Sequence, residues 1–340
     1  MLVSVLTGFL GSGKTTILGH LLRQPDFART AVIINEFGEV ALDHDLIEAS
    51  EDSLIALTTG CLCCRVRTDL AETLQDLLRR RDAGSCSPFD RIVIETSGLA
   101  DPAPILQTLM TDPTLAERLV VGSVATTVDA VTGSRTLARE SVSQKQVAVA
   151  DRIVLTKLDM VSAEPALLAQ LKSLNSGAPI ISGECGRIAV RDLFAASLFD
   201  PSTKSVDVHS WLGHDHEHAH IHDTEIESCT ILREQPIRAV ALTLFLEALA
   251  EHCGANLLRL KGIVDIAENP DKPLVIHGVQ HVFHAPTWLE RWPSNGRLSR
   301  IVVIGRRLRR SWIELLLDAI QAEVADVMND ADGSFSTIMR

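Results

Sequence analysis

The sequence lacks the long apolar runs of membrane proteins and the positive charge of nucleic-acid-binding proteins. No apolar run approaches the roughly 20 residues that a membrane-spanning helix needs. The apolar N-terminus has no basic stretch and runs directly into "GSGK", so we expect no signal peptide. A formal net charge of −12 argues against nonspecific binding to nucleic acids or anionic membranes. We therefore expect neither a nucleic-acid partner nor a membrane partner.

A disulfide framework is also missing. The seven cysteines are odd in number and unevenly spaced, unlike the cysteines of a small secreted domain. Three of them fall within four positions, in "GCLCC" at residues 60–64. We therefore predict a reduced, cytoplasmic protein. Its 340 residues are enough for one large domain or two ordinary ones, each with its own core.

Short apolar, β-branched runs alternate with helical stretches over the first 200 residues. Strands that are apolar throughout and separated by helices indicate a mostly parallel sheet covered on both faces, in an α/β domain. The predicted strands are 2–6, 31–34, 54–57, 91–94, 120–128, 152–155 and 179–181, and the predicted helices are 14–22, 69–80, 103–110 and 165–174.

The alternation stops at a polar, histidine-rich stretch, which we interpret as a linker over residues 201–225. Beyond it, the pattern predicts a smaller α+β domain over 226–330, after a first domain over 1–200. In the domain at 226–330, the predicted strands are 228–240, 257–266 and 299–304, and one helix is predicted at 243–253. A second helix is predicted to open with a capping box of Ser311 and Glu314. The apolar residues of that helix are Trp312, Leu315, Leu316, Ile320, Val324 and Val327.

Residues 8–15, "GFLGSGKT", fit the phosphate-binding P-loop, G-x-x-x-x-G-K-[ST]. Its glycines allow backbone angles that direct successive N–H groups at one phosphate. The lysine of this motif reaches the β- and γ-phosphates, and the threonine hydroxyl binds Mg²⁺. The first domain is therefore predicted to be a P-loop NTPase. Its predicted phosphate-binding residues are Gly8, Gly11, Ser12, Gly13, Lys14, Thr15 and Thr16.

Two further segments complete the predicted nucleotide site. In "RIVIETSGLADP", Glu95 follows a strand and is predicted to lie near the Mg²⁺ ion, where an aspartate is more usual. In "IVLTKLD", Thr156, Lys157 and Asp159 resemble the N/T-K-x-D signature of GTPases. The aspartate of that signature accepts hydrogen bonds from guanine, which adenine cannot offer. We predict that Lys14 and Glu95 serve catalysis and that the base is guanine.

Cys61, Cys63 and Cys64 follow the third predicted strand. Adjacent cysteines form a disulfide only with strain, and three thiolates so close together suit Zn²⁺, Co²⁺ or Cu⁺. The alternative is that these cysteines are buried as small apolar side chains. The internal histidines His214, His216, His218, His220 and His222 suit loose binding of Zn²⁺, Ni²⁺ or Co²⁺, or form a solvated linker with no metal.

The segments "TGFLGSGKTT", "NEFGEV" (35–40), "GCLCC", "ETSGLADP" and "TKLD", in this order, resemble the CobW-type P-loop GTPases, a family of metal-handling GTPases. The segments at 257–266 and 277–283 are similar to the C-terminal domain of that family. The resemblance implies a GTPase, using GTP and Mg²⁺, that delivers a transition metal to a client metalloprotein. It also implies that C-x-C-C binds this metal, zinc before cobalt, and that "NEFGEV" senses the nucleotide.

Several alternatives stay open at this stage. Glu36 or Glu39 is either a fourth metal ligand or part of the Mg²⁺ environment, and we favour Glu39 for the transition metal. The protein could instead be a metal sensor or store with incidental GTPase activity. It could also be a P-loop kinase or biosynthetic enzyme, although that reading gives the cysteines no role. Whether the chain forms a homodimer is undecided by the sequence.

Overall fold

The computed structural model describes residues 1–36, 54–58, 65–194, 225–292 and 297–338. Contacts divide the chain into two compact units, Met1–Thr224 and Glu225–Arg340, called here the N-terminal unit and the C-terminal unit. In the described part of the chain, no helix is both long and apolar enough to cross a membrane.

The N-terminal unit alternates strands and helices. Its strands are β1 (Leu2–Gly8), β2 (Thr30–Glu36), β3 (Leu54–Thr58), β4 (Arg91–Thr96), β5 (Val120–Asp129), β6 (Arg152–Thr156) and β7 (Ile180–Ser182). Its helices are α1 (Lys14–Leu21), α2 (Arg65–Asp82), α3 (Ala103–Thr111), α4 (Pro113–Arg118), α5 (Gly133–Arg139), α6 (Ser141–Ala148), α7 (Pro165–Leu174) and α8 (Val190–Leu193).

The strands of this unit form one sheet in the order β3-β2-β4-β1-β5-β6-β7. Every described pair is parallel. In β1, β4 and β5, each residue after the first is buried, as expected for strands covered on both faces. The predicted α/β fold with a parallel sheet is confirmed. All seven strands therefore end at the same edge, where ligands bind in open α/β sheets.

Helix α1 contributes one side of the core. Ile17, Leu18 and Leu21 are completely buried and belong to a cluster that also contains residues of β1, β2, β4, β5 and β6. Burying an aliphatic side chain of this size contributes about 1.5–3 kcal/mol. This packing fixes the helix directly after the phosphate loop, so that the loop joins two rigid elements.

The C-terminal unit is an antiparallel sheet with two long helices. Its elements are β8 (Ile226–Arg233), α9 (Ala239–Cys253), β9 (Leu257–Val264), β10 (Leu274–Val279), β11 (Val282–Phe283), β12 (Thr287–Trp288), β13 (Ser299–Arg306) and α10 (Arg310–Ile338). The strand order is β11-β10-β9-β13-β8, and β12 pairs with β10. Residues of both helices pack with residues of four of the strands in one core cluster. The predicted smaller α+β domain is confirmed.

The predicted strand at 228–240 is wrong in its second half. Strand β8 ends at Arg233, and Val240 lies in the first turn of α9 with 58% of its surface exposed. Ile237 and Val240 favour a strand, but Pro236 interrupts one, and a tertiary contact fixes the start of the helix instead. The Glu268 carboxylate accepts a hydrogen bond of 3.0 Å from the Ala239 N–H, which satisfies one of the free donors at the start of the helix.

The predicted capping box at Ser311 and Glu314 is also wrong. Helix α10 begins at Arg310, and the N–H groups of Trp312 and Ile313 donate to the Arg309 carbonyl at 3.0 and 3.2 Å. Glu314 instead accepts a hydrogen bond of 2.9 Å from Arg310, one turn earlier. Of the apolar residues predicted for this helix, Val324 is buried and Leu316 and Ile320 pack on the core, whereas Trp312, Leu315 and Val327 are exposed. Ile313 and Leu317, which were not predicted, are also buried.

Candidate functional site

Gly8 ends β1 and begins the phosphate loop. Its φ is +145°, and a Cβ atom there would lie 2.1 Å from the Thr127 hydroxyl oxygen, so only glycine fits. The Ser12 hydroxyl lies 2.6 Å from the same Thr127 oxygen, and the Ser12 N–H donates to the Phe9 carbonyl at 3.1 Å. These contacts fix the loop against β5 before any ligand binds.

Lys14 is the first residue of α1 and is 7% exposed. Its ammonium group donates to the Gly8 carbonyl at 3.0 Å and to the Phe9 carbonyl at 3.4 Å, so that it lies within the loop. A cation inside a glycine-rich loop at a helix N-terminus is suited to binding phosphate, because the backbone N–H groups and the helix dipole also favour an anion.

Thr15 and Glu95 meet beside this loop. The Thr15 hydroxyl donates to Glu95 Oε1 at 3.1 Å, and Glu95 is 1% exposed. Strand pairing explains the contact: Glu95 lies opposite Leu6 of β1 in the parallel ladder, close to the strand end that begins the phosphate loop. A hydroxyl and a carboxylate are the hard oxygen ligands that Mg²⁺ prefers, so these two residues fit a magnesium site.

Thr156 connects the predicted base-binding segment to the phosphate loop. It is the last residue of β6 and 4% exposed, and its hydroxyl donates to the Ser12 carbonyl at 2.8 Å. Lys157 follows with a φ of +58°, which turns the chain sharply. Asp159 is exposed two residues later. The structure therefore leaves the Asp159 carboxylate accessible while Thr156 is fixed.

Asp129, the last residue of β5, belongs to the site but is not part of any motif identified in the sequence. Its carboxylate accepts hydrogen bonds from the Lys157 ammonium group at 2.6 Å, from the Val131 N–H at 2.7 Å and from the Thr132 hydroxyl at 3.0 Å. Burial opposes ionisation of Asp129, but these hydrogen bonds, that from Lys157 foremost, outweigh it and hold the pKa below its ordinary value. Asp129 is therefore a charged anchor for the predicted base-binding lysine.

The predicted transition-metal ligands lie outside the described residues. They are Cys61, Cys63, Cys64, Glu39 and the five histidines at 214–222. For Glu36 the structure describes the backbone only, at the end of β2. Within the described part of the chain, no three histidine, cysteine, aspartate or glutamate side chains form a group that could hold a metal ion.

The other cysteines are free thiols. Burial raises the pKa of the Cys229 thiol to about 12 and raises that of Cys253 as well. A metal ligand must be a thiolate, and buried thiols of this kind resist ionisation. The cysteines of the C-terminal unit are therefore structural, and Cys185 is exposed in the N-terminal unit.

The residues that were missed differ in how visible they are in the sequence. Asp129 follows a buried strand in the same way as Glu95 does, and that signal is readable from the sequence. Gln146 lies inside α6 without any motif, although it is fully buried and contacts the loop after Glu95. Only the folded chain reveals it.

Family models match most of the chain. The model described as CobW/HypB/UreG, nucleotide-binding domain, matches residues 2–182. The model of the cobalamin synthesis protein cobW C-terminal domain matches residues 226–321. The chain belongs to the CobW family. The resemblance identified from the motifs is thus confirmed, and the phosphate loop described above lies within the nucleotide-binding domain of that family.

Similar curated proteins in the CobW family carry zinc in their names. The zinc chaperone YjiA of Escherichia coli (strain K12) is 36% identical over 308 residues, covering 90% of this chain and 94% of its own. The zinc chaperone CobW of Sinorhizobium sp is 32% identical, covering 80% of this chain and 83% of its own. The zinc-regulated GTPase metalloprotein activator 1 of Saccharomyces cerevisiae is 27% identical, covering 93% of this chain and 82% of its own.

The fold also matches a solved structure. The crystal structure of the Zn(II)-bound YjiA GTPase from E. coli superposes with a TM-score of 0.73 at 31% identity, covering 94% of this chain and 98% of the other. A triple variant of YjiA, in which one glutamate and two cysteines are replaced by alanine, is also Zn(II)-bound and gives a TM-score of 0.72 at 30% identity, covering 94% of this chain and 99% of the other.

Proposed function

We propose that this protein is a GTP-dependent zinc metallochaperone. It binds zinc, with cobalt as the second candidate, at its C-x-C-C motif and transfers the metal to a client metalloprotein, coupled to slow hydrolysis of GTP to GDP and phosphate. The observation that carries the proposal is the contact of 3.1 Å between Thr15 and Glu95 beside the phosphate loop, in a chain 36% identical to a zinc chaperone.

Lys14 and the loop residues 8–16 hold the phosphates of the nucleotide. The ammonium group, within hydrogen-bonding distance of the Gly8 carbonyl, offsets the charge that develops on the phosphates during hydrolysis. Thr15 and Glu95 hold Mg²⁺, which when bound neutralises phosphate charge. Asp159, exposed beside the fixed Thr156, accepts hydrogen bonds from guanine, so that GTP is preferred over ATP.

The cargo metal binds to Cys61, Cys63 and Cys64. Three thiolates suit zinc, and Glu39 would supply a fourth ligand. The histidines at 214–222 add weaker sites in the linker. This assignment is supported by the motif and by the zinc-related names of three relatives. With the domain boundaries proposed from the sequence, 1–200, 201–225 and 226–330, the cysteine motif lies in the first segment and the histidines lie in the second.

Strand pairing offers a route from nucleotide to metal. Strand β2 ends at Glu36 within the predicted nucleotide sensor, and it lies between β3 and β4. In the ladder Asn35 is opposite Thr96, next to Glu95, while Glu36 is opposite Thr58, three residues before Cys61. In GTPases, segments that contact the γ-phosphate and Mg²⁺ rearrange on hydrolysis. The Mg·GTP state therefore binds metal more tightly, and hydrolysis releases it.

Cobalt titration in two nucleotide states tests this coupling. Thiolate-to-Co²⁺ charge-transfer absorption reports occupancy of the cysteine site, first with GDP and then with a non-hydrolysable GTP analogue. The analogue should tighten metal binding about tenfold, which is about 1.4 kcal/mol, and metal must tighten binding of the analogue equally. The Lys14→Ala variant should bind cobalt without any nucleotide dependence. Equal affinities in the two states of the wild-type protein would contradict the proposal.

A second experiment tests the metal site itself. Replacing Cys61, Cys63 and Cys64 by serine should remove the tight zinc site, and deleting residues 214–222 should leave it intact. Because a YjiA variant without one glutamate and two cysteines is still Zn(II)-bound, each titration needs a competing chelator that separates tight from weak sites. Tight zinc binding by the triple serine variant would overturn the assignment. A client metalloprotein, self-association and a cytoplasmic location belong to the same proposal.

A further inference from the structure

The loop after Glu95 packs directly on the phosphate loop. A Cβ atom on Gly98 would lie 2.7 Å from the backbone nitrogen of Leu10, so the two loops approach as closely as glycine allows. The loop also has an internal turn, since the Ala100 N–H donates to the Ser97 carbonyl at 3.0 Å. The position of the loop after Glu95 therefore determines how the segment from Glu95 to Gly98 faces a phosphate held by the phosphate loop at 8–15.

Helix α6 contacts this loop through two neighbouring residues. The Gln146 side-chain N–H₂ group donates to the Gly98 carbonyl at 3.2 Å and to the Ala100 carbonyl at 3.0 Å. The Lys145 ammonium group lies 2.6 Å from Asp101 Oδ2. The other oxygen of that carboxylate accepts a hydrogen bond of 3.0 Å from the Ala103 N–H, at the start of α3. Three positions of the loop are thereby tied to one helix.

Helix α6 is itself held in place by further hydrogen bonds. The Thr126 hydroxyl of β5 donates to the Gln146 carbonyl at 2.8 Å. The Asn175 side chain donates to the carbonyls of Val147, Ala148 and Ala150 at 2.9, 3.2 and 2.9 Å. The end of α6 is thus joined to the central sheet and to the chain after α7. Because α6 is fixed in this way, the hydrogen bonds from Gln146 hold the loop in a fixed position relative to the central sheet.

The Gln146 side chain is not optimised for folding alone. It is completely buried, and its Oε1 atom accepts no hydrogen bond from any described residue. A buried acceptor without a donor is unfavourable, and an apolar side chain of the same shape avoids that cost. Rotating the amide by 180° would aim the oxygen at the Gly98 and Ala100 carbonyls, which is worse. The benefit of glutamine here lies in its two donors, and both point at the loop.

We propose that Gln146 is a positioning residue for GTP hydrolysis. This inference rests on the proposed GTPase function. Gln146 fixes the loop at 97–101 to α6, so that the segment from Glu95 to Gly98 stays aligned with the phosphate loop. Lys145 supports this alignment through Asp101. Gln146 acts through the loop and does not touch the nucleotide, so it affects turnover more than nucleotide binding.

The test compares Gln146→Met with Gln144→Met. Gln144 lies on the same helix and donates its side-chain N–H₂ to the Leu137 carbonyl at 2.8 Å, within the pair α5 and α6 and away from the loop. Methionine keeps the volume and removes the donors. The Gln146 variant should lower kcat for Mg·GTP about tenfold, which is about 1.4 kcal/mol in the barrier, and change KM less than about twofold. The Gln144 variant should retain the wild-type kcat.

Amide hydrogen exchange supplies a readout independent of turnover. The N–H groups of Ala100 and Ala103, which are hydrogen-bonded within and after the loop, should exchange about tenfold faster in Gln146→Met and at the wild-type rate in Gln144→Met. If the wild-type protein hydrolyses GTP and the Gln146 variant has an equal or higher kcat, the role of Gln146 is overturned and the proposed function is not. A wild-type protein that does not hydrolyse GTP contradicts the proposed function and this role with it.

Discussion

Replacing Asp129 by asparagine should destabilise the N-terminal unit through the loss of one ion pair. Asparagine keeps the Oδ1 atom that accepts from the Val131 N–H, but its amide places a donor where Oδ2 accepts from the Lys157 ammonium group and the Thr132 hydroxyl. A hydrogen bond between charged groups contributes about 1.5–3 kcal/mol. Because the Lys157 side chain is 36% exposed, solvent screening reduces the expected loss to about 1–2 kcal/mol.

Thermal unfolding followed by far-UV circular dichroism measures this loss. None of the described residues of the N-terminal unit is a tryptophan, so circular dichroism reports on its strands and helices more directly than tryptophan fluorescence does. The transition to analyse is the one that GDP shifts upward, since a ligand stabilises only the part of the chain that binds it. Each kcal/mol should lower its midpoint by about 2–4 °C for a domain of this size.

The pH dependence follows from the lowered pKa of Asp129. A carboxyl group whose pKa is lower in the folded state stabilises the fold above its unfolded value of about 4, and this contribution is lost as the pH falls through the folded value. The difference between wild type and Asp129→Asn should therefore be full at pH 7 and shrink in acid. A double-mutant cycle with Lys157→Met isolates the pair. Additive effects of the two substitutions at pH 7 would refute the reasoning.

Three further predictions follow from the same site. Lys14→Ala should abolish GTP hydrolysis, since it removes the cation within the phosphate loop, and phosphate release measures this. The value of kcat/KM should favour GTP over ATP, because Asp159 pairs with donors that only guanine has, and equal values would remove the guanine assignment. A thiol reagent at pH 8 should modify exposed Cys185 well before Cys229, whose pKa is about 12, and mass spectrometry of peptides can rank the two.

The sequence predicted the N-terminal fold well because each strand is a short apolar run between glycine-rich or polar turns. The helix at 165–174 was predicted with its observed bounds, since Pro165 marks its first turn. Errors in element boundaries gathered in the C-terminal unit, whereas helices α4, α5, α6 and α8 of the N-terminal unit were not predicted at all. In the C-terminal unit, the strand predicted at 228–240 runs past Pro236, which interrupts it, and the start of α9 at Ala239 depends on Glu268, 29 positions later in the chain.

The phosphate loop and Glu95 were readable because their chemistry requires fixed spacings. Gln146 and Asn175 were not, because their function depends on which carbonyl groups the folded chain brings near them. No periodicity or sequence motif indicates such contacts between side chains and carbonyl groups. Asp129 lies between these cases: its place after a strand was visible, but its partner Lys157 was assigned to the base-binding motif alone.

The hydroxyl of Thr156 has a consequence for how a nucleotide is received. It joins the end of β6, where the base segment begins, to the Ser12 carbonyl in the phosphate loop. In the proposed function, the base and the phosphates of the nucleotide therefore contact two segments that are already joined to each other. Most of the ordering of this surface is completed when the domain folds, and less freedom is lost at the moment of association. A nucleoside and a phosphate offered separately would each find the surface already assembled for the other.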